Sequence, residues 1–165
     1  MAVNRGKAFE NKIRAQLQSL IGVSVDRVYD QTTGFRGSQN ICDVIAYRYP
    51  NQFYFECKTV HGNVLPFSNI SDTQWDGLIE KSTIPGVYAG VICWWVDRDI
   101  TAFIPIELLY VHRLEGKKSI RYDCPYNLFG KYKMIQIKGK KKRVFFEYDL
   151  KGFLDELQFG EYERY

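Results

Sequence analysis

Three side chains between Ile41 and Lys58 could do chemistry together: Asp43, Glu56 and Lys58. The stretch reads ICDVIAY, a break around Pro50 and Asn51, then FYFECK. Both arms are rich in β-branched and aromatic residues and the break carries turn formers, so a β-hairpin is predicted. Side chains alternate across a strand, which puts Glu56 and Lys58 on one face and Phe55 and Cys57 on the other. A turn centred on Pro50-Asn51 sets Asp43 opposite Lys58 and diagonal to Glu56. Charges are rarely placed on a strand near a core unless they are paired or hold a metal. One reading is a solvated face on which Lys58 pairs with Glu56 or Asp43. The other is a magnesium site, because this hard cation takes oxygen ligands and keeps several waters. Such an ion clamps a phosphate and lowers the pKa of an attacking water, while a lysine orients that water or stabilises developing charge.

The elements that must position this patch are legible on either side of it. Phe9, Ile13, Leu17 and Leu20 recur at helical spacing and predict a helix over 7–20. Glu10 lies near its start, where a carboxylate suits the helix dipole; the alternative is a third acidic group reaching the metal. A strand is predicted over 23–29, followed by the polar, glycine-punctuated DQTTGFRGSQN, which reads as a loop. Arg36 and Ser38 in that loop could meet a phosphate; a surface loop without a partner is the other reading. After Lys58 a loop is expected over 59–67, then a helix capped by Ser71 or Asp72 that turns Trp75, Leu78 and Ile79 inward. Gln74 falls in its first turn. Residues 87–96 form an apolar run suited to a central strand, and Asp97-Arg98-Asp99 turns it into a second strand over 100–104. Pro105 can open a short helix at the position where its missing N–H costs nothing.

Farther on, 134–137 and 144–148 read as two strands joined by KGKKKR, with a closing helix over 149–157. Lys138, Lys140, Lys141, Lys142 and Arg143 form the densest basic cluster of the chain. At a hairpin tip such a run is either a solubilising turn or a contact to DNA backbone.

The 165 residues fit one domain with a proper core, and twelve Tyr and eleven Phe supply it amply. A net charge of +4 permits a polyanionic partner without requiring one. Four Cys without a C-X-X-C pair, and two His, argue against structural zinc. Three of those Cys sit in apolar strand-like runs and read as core residues of a reducing, cytoplasmic protein. No apolar run is long enough to span a bilayer, and no secretory h-region opens the chain.

The order of a helix with glutamate, a strand carrying Asp, a strand with Glu-X-Lys and then a helix resembles the PD-(D/E)XK nuclease superfamily. Within it, CDVIAY, FYFECKTV and PFSNISDTQWDGL are similar to the RecU-type Holliday junction resolvases. RGKAFENKI and RGSQNICDV are similar to archaeal junction resolvases. The resemblance covers about the first half of the chain. It implies an α/β (α+β), restriction-endonuclease-like fold: a mixed central sheet flanked by helices, in a single domain over 1–165. It implies that Asp43, Glu56 and the Cys57 backbone carbonyl bind Mg2+ or Mn2+, and that Lys58 serves the attacking water or the pentavalent phosphate. Glu10 matches the family's helix glutamate, Gln74 its post-motif glutamine and Ser38 an archaeal serine. Cys42 stands where the family commonly has proline. The stretch before Asp43 is shorter than in cellular RecU proteins, whose insertion enters the junction; a short, phage-encoded form fits, with Phe35 and Arg36 the candidates for that contact. The activity implied is Mg-dependent resolution of four-way (Holliday) junctions by paired nicks from a homodimer, in recombination and repair. The alternatives are a nuclease of the same core acting on linear or other branched DNA, and a DNA-binding module without catalysis.

Overall fold

The structure, a computed structural model, describes residues 4–26, 28, 40–128 and 130–160. The loop carrying Phe35, Arg36 and Ser38 lies outside the described residues.

Helix α1 (Arg5–Gln18) starts where the Asn4 side chain accepts the Lys7 N–H at 3.2 Å. It begins and ends two residues earlier than the apolar spacing predicts, because this cap and Ser19 set its ends. Phe9, Ile13 and Leu17, four apart, share its buried face. Strands β1 (Ser24–Asp26), β2 (Val44–Arg48) and β3 (Asn51–Val60) follow. The predicted loop after Lys58 is more ordered than expected. β3 runs on to Val60, and β4 (Val64–Pro66) pairs with a strand much later in the chain. Helix α2 (Asp72–Ser82) is capped by Ser71, and it leads into β5 (Val87–Trp95), β6 (Ile100–Pro105) and helix α3 (Ile106–Leu114).

The last third holds short strands: β7 (Ser119–Arg121), β8 (Asn127–Leu128), β9 (Tyr132–Lys133), β10 (Ile135–Gln136), β11 (Gly139–Lys141) and β12 (Phe146–Tyr148), before helix α4 (Leu150–Phe159). The expected pairing of 134–137 with 144–148 does not form. β10 instead adds to β6, and β11 pairs with β12. β10 gains a sheet edge from β6, a distant partner that local pattern cannot reveal.

Six strands form the central sheet in the order β1-β2-β3-β5-β6-β10. Among the described residues only the β3–β5 pair is parallel, bridged by the crossover through α2. The result is the mixed sheet with flanking helices expected from the sequence. Both faces of β5 are covered, so it is buried at every position, as a central strand should be. Its even-numbered Tyr88, Ile92 and Trp94 pack with α1 and α4, and its odd-numbered Ala89, Val91, Cys93 and Trp95 pack with α2 and α3. Phe53 and Phe55 of β3 are fully enclosed on the α1 side. Each such ring contributes about 1.5–3 kcal/mol of burial free energy. Cys42, Cys57 and Cys93 are buried free thiols. Among the described residues no helix is long and apolar enough to cross a membrane.

Candidate active site

The hairpin β2–β3 turns at Tyr49-Pro50, since Arg48 pairs with Asn51 and Val44 with Phe55. The turn lies one residue earlier than the sequence suggests, so Asp43 is not opposite Lys58. It stands at the end of the ladder, where its N–H donates to Phe55 O at 3.1 Å. Its carboxylate accepts the Cys57 N–H at Oδ2, 2.8 Å away. In an antiparallel pair one residue's N–H and C=O face the same neighbour. The Cys57 carbonyl therefore faces the edge where β2 has already ended.

Glu56 points to the α2 side of the sheet and is only 2% exposed. Its Oε1 receives two donors, Lys58 Nζ at 2.9 Å and Gln74 Nε2 at 2.7 Å. Its Oε2 is buried and has no hydrogen-bond partner. An ionised carboxylate oxygen left so is costly, on the order of 1–3 kcal/mol or more. Burial, then the neighbouring Asp43 charge, pushes the Glu56 carboxyl up to about 8, against the pull of Lys58. Burial likewise raises Asp43, opposed by the Cys57 amide. A half-buried Asp43 beside a buried Glu56 thus disfavours two uncompensated negative charges in one place. The same pair of oxygen ligands suits a hard divalent cation, which would offset both charges and give Glu56 Oε2 a partner. Two carboxylates and the Cys57 carbonyl are a donor set compatible with magnesium, which takes its remaining ligands from water and phosphate.

Gln74 is placed by its own helix end. Ser71 Oγ accepts the Gln74 N–H at 3.2 Å while Gln74 Oε1 accepts the Ser71 N–H at 3.0 Å, a reciprocal capping box. With its carbonyl so engaged, the amide group is aimed at Glu56. The glutamine thus holds Glu56, a contact its first-turn position alone does not predict. Ser71-x-x-Gln74 is a capping box legible in the sequence.

Glu10 lies at the other layer. Its Oε1 accepts Arg14 Nη2 at 2.6 Å and Lys7 Nζ at 3.1 Å. The same Arg14 Nη2 donates to the backbone oxygen of Asp43 at 2.9 Å. Glu10 is coupled to the pair through Arg14 and through its charge, which raises Asp43 further. Among the described residues no three acidic, histidine or cysteine side chains converge as a ready metal cage. Arg14 was not singled out in the sequence, where only its spacing of four from Glu10 signals a pair.

The basic cluster reaches a hairpin tip, as expected, but only with its last residues, and the hairpin is β11–β12. Lys140 and Lys141 lie in β11, and the turn follows at Lys142 and Arg143. Lys141 pairs with Asp99 at 2.6 Å and Lys142 with Glu147 at 3.3 Å, while Lys138, Lys140 and Arg143 are exposed. This ribbon is fastened to α1, for Gln16 bonds Phe146 O at 2.9 Å and the Tyr148 N–H at 2.8 Å. It therefore belongs to the sheet face opposite Glu56.

Among solved structures, the chain is similar to the Holliday junction resolvase Hjc of the archaeal hyperthermophile Archaeoglobus fulgidus. The two are 22% identical with a TM-score of 0.46, over 62% of this chain and 78% of that one. No family model and no curated protein sequence matches the chain.

Proposed function

We propose that this chain is a metal-dependent endonuclease that hydrolyses phosphodiester bonds of branched DNA, four-way junctions foremost. The observation that carries the chemistry is the buried Glu56 next to a half-buried Asp43, with Glu56 Oε2 unpartnered and Lys58 beside it. Asp43, Glu56 and the Cys57 carbonyl are the ligands for Mg2+ or Mn2+ in this reading. When bound there, the ion polarises the scissile phosphate and makes water a stronger nucleophile near neutral pH.

The chain's own groups do the remaining work. Gln74 and Lys58 both hold Glu56 Oε1, which leaves Oε2 as the free donor. Lys58 Nζ has three N–H donors and directs one at Glu56; the others can orient water or meet the charge that grows on the phosphate oxygens. Arg14 fixes the Asp43 backbone from the opposite layer, and Glu10 fixes Arg14. Water attack in line with the 3′ oxygen then leaves a 5′-phosphate and a 3′-hydroxyl. The preference for junctions, and a symmetric homodimer to cut two opposed strands, are supported by the resemblance of the first half of the sequence to junction resolvases.

An immobile four-way junction and a linear duplex of matched sequence, each offered with Mg2+, test this. Symmetric paired cuts in the junction alone are expected. Equal cutting of both substrates would replace junction resolution with a general nuclease, and binding without cutting would remove the catalytic reading.

A further inference from the structure

On the α2 side of the sheet, a groove of about 420 Å³ runs between the cap of α2 and the segment following α3. Ser68, Ser71 and Asp72 form one wall, and Arg113, Lys117 and Lys118 the other. Trp75, buried beneath them, holds the Arg113 guanidinium 4.7 Å from its ring centroid. Asp72 is the one acid in that lining, and Arg113 lies 3.9 Å from it. Lys117 also pairs with Glu115 at 3.1 Å, so three cations face two carboxylates and the cleft keeps a net positive charge, which a cleft focuses. The groove starts at Ser71, the residue that caps Gln74, and Gln74 touches Glu56. One helix end thus joins this cleft to the acidic pair.

The lysine-rich ribbon offers a poorer track to the same place. It is fastened to α1 on the other face of the sheet, away from Glu56 and the α2 cap that leads to it. We infer that the Arg113–Lys118 groove, and not the ribbon from Lys138 to Arg143, carries the nucleic-acid backbone that flanks the reacting phosphate. This inference rests on the nuclease reading for its substrate, but it is a statement about binding and is tested without cleavage.

The experiment titrates the wild-type chain, in EDTA to prevent cutting, into a fluorescently labelled four-way junction and reads anisotropy over a series of salt concentrations. The variant Arg113→Gln/Lys117→Gln/Lys118→Gln is expected to bind about tenfold or more weakly, with a log-log salt slope smaller by about 2–3. Lys138→Gln/Lys140→Gln/Arg143→Gln is expected to stay within about twofold of wild type. Because Arg113 lies over Trp75, Lys118→Gln alone serves as a second variant that leaves this stacking intact. It should lower the slope by about 0.9 while the melting temperature is unchanged. Wild-type affinity in both groove variants, loss of affinity in the ribbon variant instead, or no DNA binding by the wild type would each overturn the inference. Binding through the groove without cleavage in Mg2+ would leave it standing and sink the nuclease reading; cleavage unaffected by the groove variants would do the reverse.

Discussion

Gln74 Nε2 donates to Glu56 Oε1 at 2.7 Å, while the carbonyl of the same amide accepts the Ser71 N–H at 3.0 Å. One side chain therefore closes a helix cap and orients a candidate metal ligand. Gln74→Ala removes both bonds and should cost about 1–3 kcal/mol of stability, read from denaturant unfolding. It should also lower metal-dependent cleavage. Gln74→Glu keeps the cap but sets another carboxylate against Glu56, so it should restore stability at acid pH and not above neutrality. If Gln74→Ala is as stable as wild type, the brace has no structural weight.

The acidic pair makes the metal-free fold sensitive to pH. Glu56 is raised from 4.5 to about 8, so in that window the folded chain keeps a proton that the unfolded chain releases. The contribution is fully present below the ordinary carboxylate range and is lost as pH rises through the folded value. Thermal unfolding in EDTA should therefore show this component weakening from about pH 5 to about pH 8. Glu56→Gln should flatten that dependence, and Mg2+ should stabilise wild type more at the upper end. A wild-type profile no steeper than that of Glu56→Gln would contradict the raised pair.

Lys58 sits 2.9 Å from Glu56 Oε1 and pulls its carboxyl down. Lys58→Met should raise Glu56 still further and reduce cleavage by about 10²–10³-fold, a loss typical of a removed charge stabiliser. DNA binding in EDTA should persist. Cleavage within about threefold of wild type would assign Lys58 a purely structural pairing.

The hairpin chemistry was legible because Asp43, Glu56 and Lys58 are charges set among Phe53, Phe55, Val44 and Ile45. Burial of Glu56 then follows from strand alternation toward α2. Register was less legible, for Pro50 can occupy either centre of a short turn, and a shift of one residue moved Asp43 from Lys58 to the Cys57 amide. The central strands over 87–96 and 100–104 were readable as apolar runs broken by Asp97-Arg98-Asp99. The pairing of β10 with β6 was not, since two residues carry no pattern of their own. Nor could spacing show that Arg14 spans 29 positions to bond the Asp43 carbonyl. The basic groove joins residues 68–72 to 113–118, which only the packing of α2 on α3 brings together.

The other side of α2, seated against Ile41, offers a stability test of its own. A Cβ on Gly77 would lie 2.2 Å from Ile41 Cγ2 and 2.5 Å from Ile41 Cβ, atoms next to the backbone that cannot swing aside. Gly77→Ala should gain about 1 kcal/mol of helix propensity and lose more to overpacking, typically about 1–3 kcal/mol. A net destabilisation is expected in denaturant unfolding, with the cap at Gln74 displaced and cleavage reduced. A more stable Gly77→Ala protein would mean α2 is not seated against Ile41 as described.

In the proposed function Asp43 and Glu56 together hold a divalent cation. Titration of Mn2+ into the chain at about pH 7.5, followed by the loss of the free-ion paramagnetic resonance signal, reads this without DNA or catalysis. Wild type is expected to bind the ion, and Asp43→Asn and Glu56→Gln to lose at least about tenfold in affinity while remaining folded. Equal Mn2+ binding by wild type and both variants, or none by wild type, would contradict the account.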